Sequence, residues 1–65
     1  MQIKLNGAAT QTGATTLAQL IEEQGFAAEV VATAVDGVFV PRDTRETVQL
    51  TDGARVEVLA PMQGG

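Results

Sequence analysis

Polar and apolar residues alternate from the first position of the chain. Ile3 and Leu5 fall on one face of a predicted strand from Met1 to Leu5, with Gln2 and Lys4 on the other. Asn6-Gly7 follows, a pair that accepts positive φ at little cost and so gives the strongest short signal for a hairpin. The second strand, from Ala8 to Thr12, carries small and polar side chains, which suits a shallow or edge position. Gly13-Ala14-Thr15 breaks the alternation, and the period then lengthens to that of a helix. Leu17, Leu20 and Ile21 share one helical face, while Gln19, Glu22 and Glu23 lie largely outside it. Glu22 and Glu23 read as a mostly solvated surface. Thr16 stands where its hydroxyl can accept the Gln19 amide, with the Gln19 side chain reaching back in a capping box. Gly25 marks the helix end, and Phe26 is placed to pack back over it.

Val30 to Val35 reads as a buried strand, and Asp36-Gly37 turns the chain into Val38-Phe39-Val40. Pro41 bars continuation within the interior of a sheet. The polar run from Arg42 to Thr47 predicts a loop or a single helical turn, and Val48 and Leu50 form a short apolar pair. After Thr51-Asp52-Gly53 the last strand is expected over Arg55 to Leu59, with Val56 and Val58 facing inward. A hairpin, one main helix and further strands suit an α+β arrangement, a mixed sheet packed on one side by the helix. The order matches the β-grasp, ubiquitin-like fold. Residues 1–60 are expected to form that domain, and residues 61–65 a flexible C-terminal tail with nothing left to pair with.

Sixty-five residues leave room for one domain, and 45% hydrophobic content is enough for one compact core. Phe26 and Phe39 are the two aromatic residues, so the core must come from Val, Leu, Ile and Ala. Cys and His are absent, which removes the usual zinc ligand sets and every nucleophile–imidazole pair. Ser, Tyr and Trp are absent as well. This inventory argues against an autonomous enzyme, and no catalytic residue or metal site is assigned. Eight acidic residues against four basic ones give a net charge of −4, which disfavours nucleic acid as a partner. No charged lead is followed by a long apolar run, so neither membrane insertion nor export is expected. The expected state is a cytoplasmic monomer.

The candidate chemistry lies in Gly64-Gly65. Glycine lacks Cβ, so a narrow enzyme channel can admit an extended backbone and reach the Gly65 carboxylate. Five residues from Pro61 to Gly65 span roughly 17 Å when extended, which would keep the globular body outside that channel. Met62, Gln63 and Gly64 are the residues such a channel would read. Among the remaining candidates, Phe39 belongs to a strand in which neighbouring side chains alternate faces. It is therefore either exposed for docking or, the commoner fate of an apolar side chain, part of the core. Leu59 and Met62 would extend a docking patch toward the tail. Arg42 would clamp an acidic group on a partner or pair with Asp43 or Glu46 at the surface.

Several segments together resemble the ThiS family of thiamine-biosynthesis sulfur carriers. They are the Asn6-Gly7 turn, the Thr16-Leu17 helix start, the run from Ala34 to Arg42 with Val40-Pro41-Arg42, the Asp52-Gly53 turn and the Gly64-Gly65 end. The resemblance covers essentially the whole chain. It implies that a ThiF-type adenylating enzyme uses ATP and magnesium to convert the Gly65 carboxylate to an acyl-adenylate. It further implies that sulfur from a cysteine desulfurase or a persulfide displaces AMP, and that a ThiG-type thiazole synthase receives the sulfur. On that view the carrier binds no cofactor stably and is a substrate rather than an enzyme. Three alternatives remain open on these residues: a molybdopterin-synthase small-subunit type of carrier, a ubiquitin-like protein modifier, and a non-covalent β-grasp interaction domain.

Overall fold

The computed structural model describes residues 1–61. Strands β1 (Gln2–Leu5), β2 (Ala8–Gln11), β3 (Ala32–Val35), β4 (Val38–Val40) and β5 (Arg55–Leu59) form one sheet in the order β2-β1-β5-β3-β4. The β1–β5 pair is parallel and the others are antiparallel. Helix α1 (Leu17–Glu23) and a 3-10 helix over Arg42–Thr47 complete the elements. This mixed sheet with one main helix is the β-grasp fold expected from the sequence.

Both hairpins turn on a pair of residues with positive φ: 50° and 84° at Asn6-Gly7, 51° and 81° at Asp36-Gly37. That geometry matches the right-handed twist of the flanking strands, which is why Asn-Gly and Asp-Gly occupy these corners. Helix α1 starts at Thr16, whose Oγ1 accepts the Gln19 N–H at 3.2 Å. The return half of the predicted capping box is displaced by one residue. Gln19 Oε1 accepts from the Thr15 N–H and hydroxyl, at 2.8 and 2.9 Å, instead of from Thr16. At the other end the Gly25 N–H donates to the Glu22 carbonyl and the Phe26 N–H to that of Ile21, both at 3.1 Å. These are the two bonds of a Schellman motif, and they bring Phe26 back against the core as predicted.

Ile3 of β1, Val56 and Val58 of β5 and Val40 of β4 meet Leu17, Leu20 and Ile21 in the core. Leu17 and Leu20 are completely enclosed, and burying each contributes about 1.5–3 kcal/mol. Leu50 is buried and Val48 half-buried, so the short apolar pair closes the core beneath the 3-10 helix.

The predicted strand over Val30–Val35 is shorter than the apolar run. Val30 is 52% exposed, and the N–H groups of Val30 and Val31 both donate to the Ala27 carbonyl, so this stretch is a turn. Pairing with β5 begins only at Ala32. Local hydrogen bonds here outweigh the β preference of two adjacent valines.

Candidate functional site

Alternation along β5 buries Val56 and Val58 and sends Arg55, Glu57 and Leu59 to the open face of the sheet. Register then aligns that face across strands. Phe39 lies opposite Ala34, and Ala34 opposite Glu57; Ala32 lies opposite Leu59. Phe39 is 66% exposed and Leu59 64% exposed. The two large side chains therefore stand on either side of small alanines, and with Thr33 and Glu57 they enclose a depression of about 120 Å³. Small-molecule sites occupy roughly 300–1,000 Å³, so this surface suits a knob on another protein better than a free ligand. Of the two fates open to Phe39, the structure selects exposure over core packing. Val38 is exposed too, at the hairpin corner, while Val40 alone of this strand is buried.

Beside the apolar patch lie two of the four cations in the chain. Lys4 of β1 and Arg55 of β5 are register partners in the parallel pair, so their side chains share the open face. Both are exposed, and with Glu57 they border a second shallow hollow next to the patch. In a protein of net charge −4 this gives one face a locally basic edge. The outward positions of Lys4 and Arg55 were readable from each strand's alternation. Their adjacency was not, because nothing local specifies that the first and last strands pair.

β5 delivers the chain to Leu59, after which Ala60 and Pro61 are exposed. The predicted tail residues Met62, Gln63, Gly64 and Gly65 lie outside the described residues. The structure thus brings Phe39 and Leu59 together on the open face of the sheet, with Leu59 the last residue of β5. Arg42 is not part of that grouping. It borders a separate groove between α1 and the 3-10 helix, with Glu22, Phe26 and Glu29 among its neighbours.

Two polar residues have roles the sequence did not suggest. Arg45, within the polar run, is only 4% exposed. Its guanidinium donates to the Ala28 and Val31 carbonyls at 2.8 and 2.7 Å and to Thr33 Oγ1 at 3.1 Å. Glu23 is exposed, as expected, and also accepts the Thr12 hydroxyl at 2.6 Å and the Gly13 N–H at 3.2 Å. The Thr12 bond is the main reason its carboxyl is held below the usual range. Gly13, Gln24 and the N-terminal ammonium act in the same direction, while partial desolvation opposes them.

A model of the ThiS family matches residues 3–65. The chain belongs to the ThiS family. Two solved structures with the ThiS fold agree with the architecture described above. The crystal structure of a thiamine biosynthesis protein (ThiS) from Geobacter metallireducens superposes with a TM-score of 0.86 at 29% identity, covering all of both chains. A solution structure of a thiamine biosynthesis protein from Geobacter metallireducens gives a TM-score of 0.83 at 30% identity, over all of this chain and 88% of that one. No curated protein matches the chain. Among the described residues of this ThiS-family protein, no helix is long and apolar enough to cross a membrane.

Proposed function

We propose that this ThiS-family chain is a sulfur carrier of thiamine biosynthesis whose working group is the Gly65 carboxylate. The observation that carries the reading is a family match that spans residues 3–65, from the first strand to Gly64 and Gly65. A carboxylate is a poor electrophile, and adenylation supplies it with a good leaving group. A carboxylate oxygen attacks the α-phosphorus of ATP and pyrophosphate departs, with magnesium held by the ThiF-type partner. A sulfur nucleophile then attacks the carbonyl carbon, and AMP leaves. Where sulfur arrives as a persulfide from a cysteine desulfurase, a thiol reduces the resulting acyl disulfide and frees the thiocarboxylate. A ThiG-type thiazole synthase consumes it.

The carrier itself performs none of these steps. It contributes the acceptor group, a tail ending in two glycines to enter the partner, and a docking surface. We assign docking to Phe39 and Leu59, since large exposed apolar side chains beside a chain exit are suited to bind a partner around that exit. Met62, Gln63 and Gly64 form the segment the partner reads. Arg42, on a different surface, is left to a secondary role at most.

The test is intact-protein mass spectrometry after incubation with the adenylating enzyme, ATP, magnesium and a sulfur donor. A mass gain of one sulfur-for-oxygen exchange, lost when Gly65 is deleted, supports the reading. No gain with an enzyme shown to act on another carrier overturns it. An amide bond to a target lysine would favour the protein-modifier alternative instead.

A further inference from the structure

The parallel β1–β5 ladder continues beyond the point where β1 has backbone to offer. The Lys4 N–H donates to the Ala54 carbonyl at 2.9 Å, and the Asn6 N–H to that of Val56 at 2.8 Å. The next outward-pointing peptide groups on this side of β5 belong to Val58, but β1 has already entered its turn at Asn6-Gly7. The Asn6 side chain fills the gap. Its Oδ1 accepts the Val58 N–H at 2.9 Å, and its Nδ2 donates to the Val58 carbonyl at 3.2 Å. A primary amide carries one acceptor and a pair of donors, so it can satisfy both main-chain groups of one residue as a neighbouring strand would. Val58 is thereby held on the β1 side, while its neighbours Glu57 and Leu59 pair with Ala34 and Ala32 of β3 on the other.

Val58 is followed by Leu59, Ala60 and Pro61, where the chain leaves the sheet. Among the described residues, Asn6 is the final hold that the β1 side exerts on β5. We propose that Asn6 is a positioning residue for the tail: by pairing with Val58 it fixes the end of β5, and with it the point and direction from which residues 62–65 enter a partner. The inference rests on the carrier reading above. Six residues lie between Val58 and Gly65, so loosening the end of β5 alters the base from which the carboxylate is presented without removing any residue assigned to docking or tail recognition. A small misplacement of a reacting group costs up to about a hundredfold in rate. The loss should appear in the rate at saturating carrier, because Phe39 on β4 is untouched and docking persists.

The experiment compares Asn6→Gly and Asn6→Asp with the natural chain. Glycine keeps the positive φ of the turn and removes both bonds to Val58. Aspartate keeps the turn and the acceptor but loses the Nδ2 donor, and it serves if the glycine variant does not fold. In the isolated full-length chain, hydrogen exchange at the Val58 amide should accelerate in Asn6→Gly, and less in Asn6→Asp, which keeps the acceptor of that N–H. With the adenylating enzyme, at a temperature where all three are folded, kcat for thiocarboxylate formation should fall about tenfold while KM for the carrier stays unchanged. A variant that melts earlier yet keeps the natural kcat and KM makes Asn6 merely structural and overturns the proposal, leaving the carrier reading intact. A natural chain that never gains sulfur overturns the carrier reading and this inference with it.

Discussion

Arg45 and Thr33 are joined in a relay. Arg45 Nε donates to Thr33 Oγ1 at 3.1 Å, and the same hydroxyl donates to the Val40 carbonyl at 2.9 Å. The hydroxyl thus links the 3-10 helix, β3 and β4 through one atom, and no buried side-chain polar atom among the described residues lacks a partner. All three acceptors of Arg45 are neutral, so its burial depends on their number and direction. Replacing it with methionine fills a similar volume but orphans the Val31 carbonyl and leaves that of Ala28 to water. Each buried group stripped of its partner costs about 1–3 kcal/mol. Arg45→Met should therefore lose about 2 kcal/mol in a urea titration. Arg45→Lys should recover less than half of the loss, because an ammonium lacks the planar fork that reaches three acceptors at once.

Phe39→Ala separates docking from folding. The side chain is two-thirds exposed and packs mainly beside alanine, so stability should change by no more than about 0.5 kcal/mol. If Phe39 anchors a partner, KM for the adenylating enzyme should rise about tenfold, the effect of roughly 1.4 kcal/mol in binding. Steady-state kinetics and a urea titration of the same preparation check both halves. An unchanged KM would remove Phe39 from the docking surface.

Glu23 makes stability depend on acid pH. Its folded carboxyl titrates below its ordinary value, chiefly because the ionised form accepts the Thr12 hydroxyl. A depressed folded value means that the unfolded chain takes up the proton first. The contribution is therefore complete above the ordinary carboxyl range and is lost as pH falls through the lowered folded value. Urea midpoints recorded across the acid range should fall with decreasing pH, and Glu23→Gln should flatten that part of the curve. An identical slope in the variant would exclude Glu23 as its source.

Thr16 caps a helix of only seven residues, which has little stability of its own. Thr16→Ala removes the Oγ1 bond to the Gln19 N–H and should cost about 1 kcal/mol, whereas Thr16→Ser should cost a few tenths or less. Thermal denaturation followed by circular dichroism distinguishes the two.

What the sequence revealed was local. The outward Arg55, Glu57 and Leu59, the two Asx-Gly corners and the Thr16 cap are each written within a few residues, and the structure has them all. Exposure of Phe39 was left open because alternation gives the period and not the side. The long-range bonds were hidden. Asn6 looked like an ordinary turn residue because its partner is 52 positions away. Arg45 looked like surface because nothing near it announces the Ala28 and Val31 carbonyls that receive it. At Val30 the error ran the other way: an apolar β-branched pair imitated a strand where the backbone had already spent its N–H groups on Ala27.

The central place of β5 bears on how the molecule assembles. Without β5 the sheet is two detached hairpins, β1–β2 and β3–β4, each presenting an unsatisfied inner edge. A ribosome would deliver both before it delivers the strand that joins them. Nucleation by local contacts can form the halves, but the cooperative transition waits on closure across most of the chain, which slows folding relative to a helical domain of equal size. Until that closure those edges are open to any passing strand, so β5 acts as a keystone, and its arrival protects the protein from aggregation as much as it completes the fold.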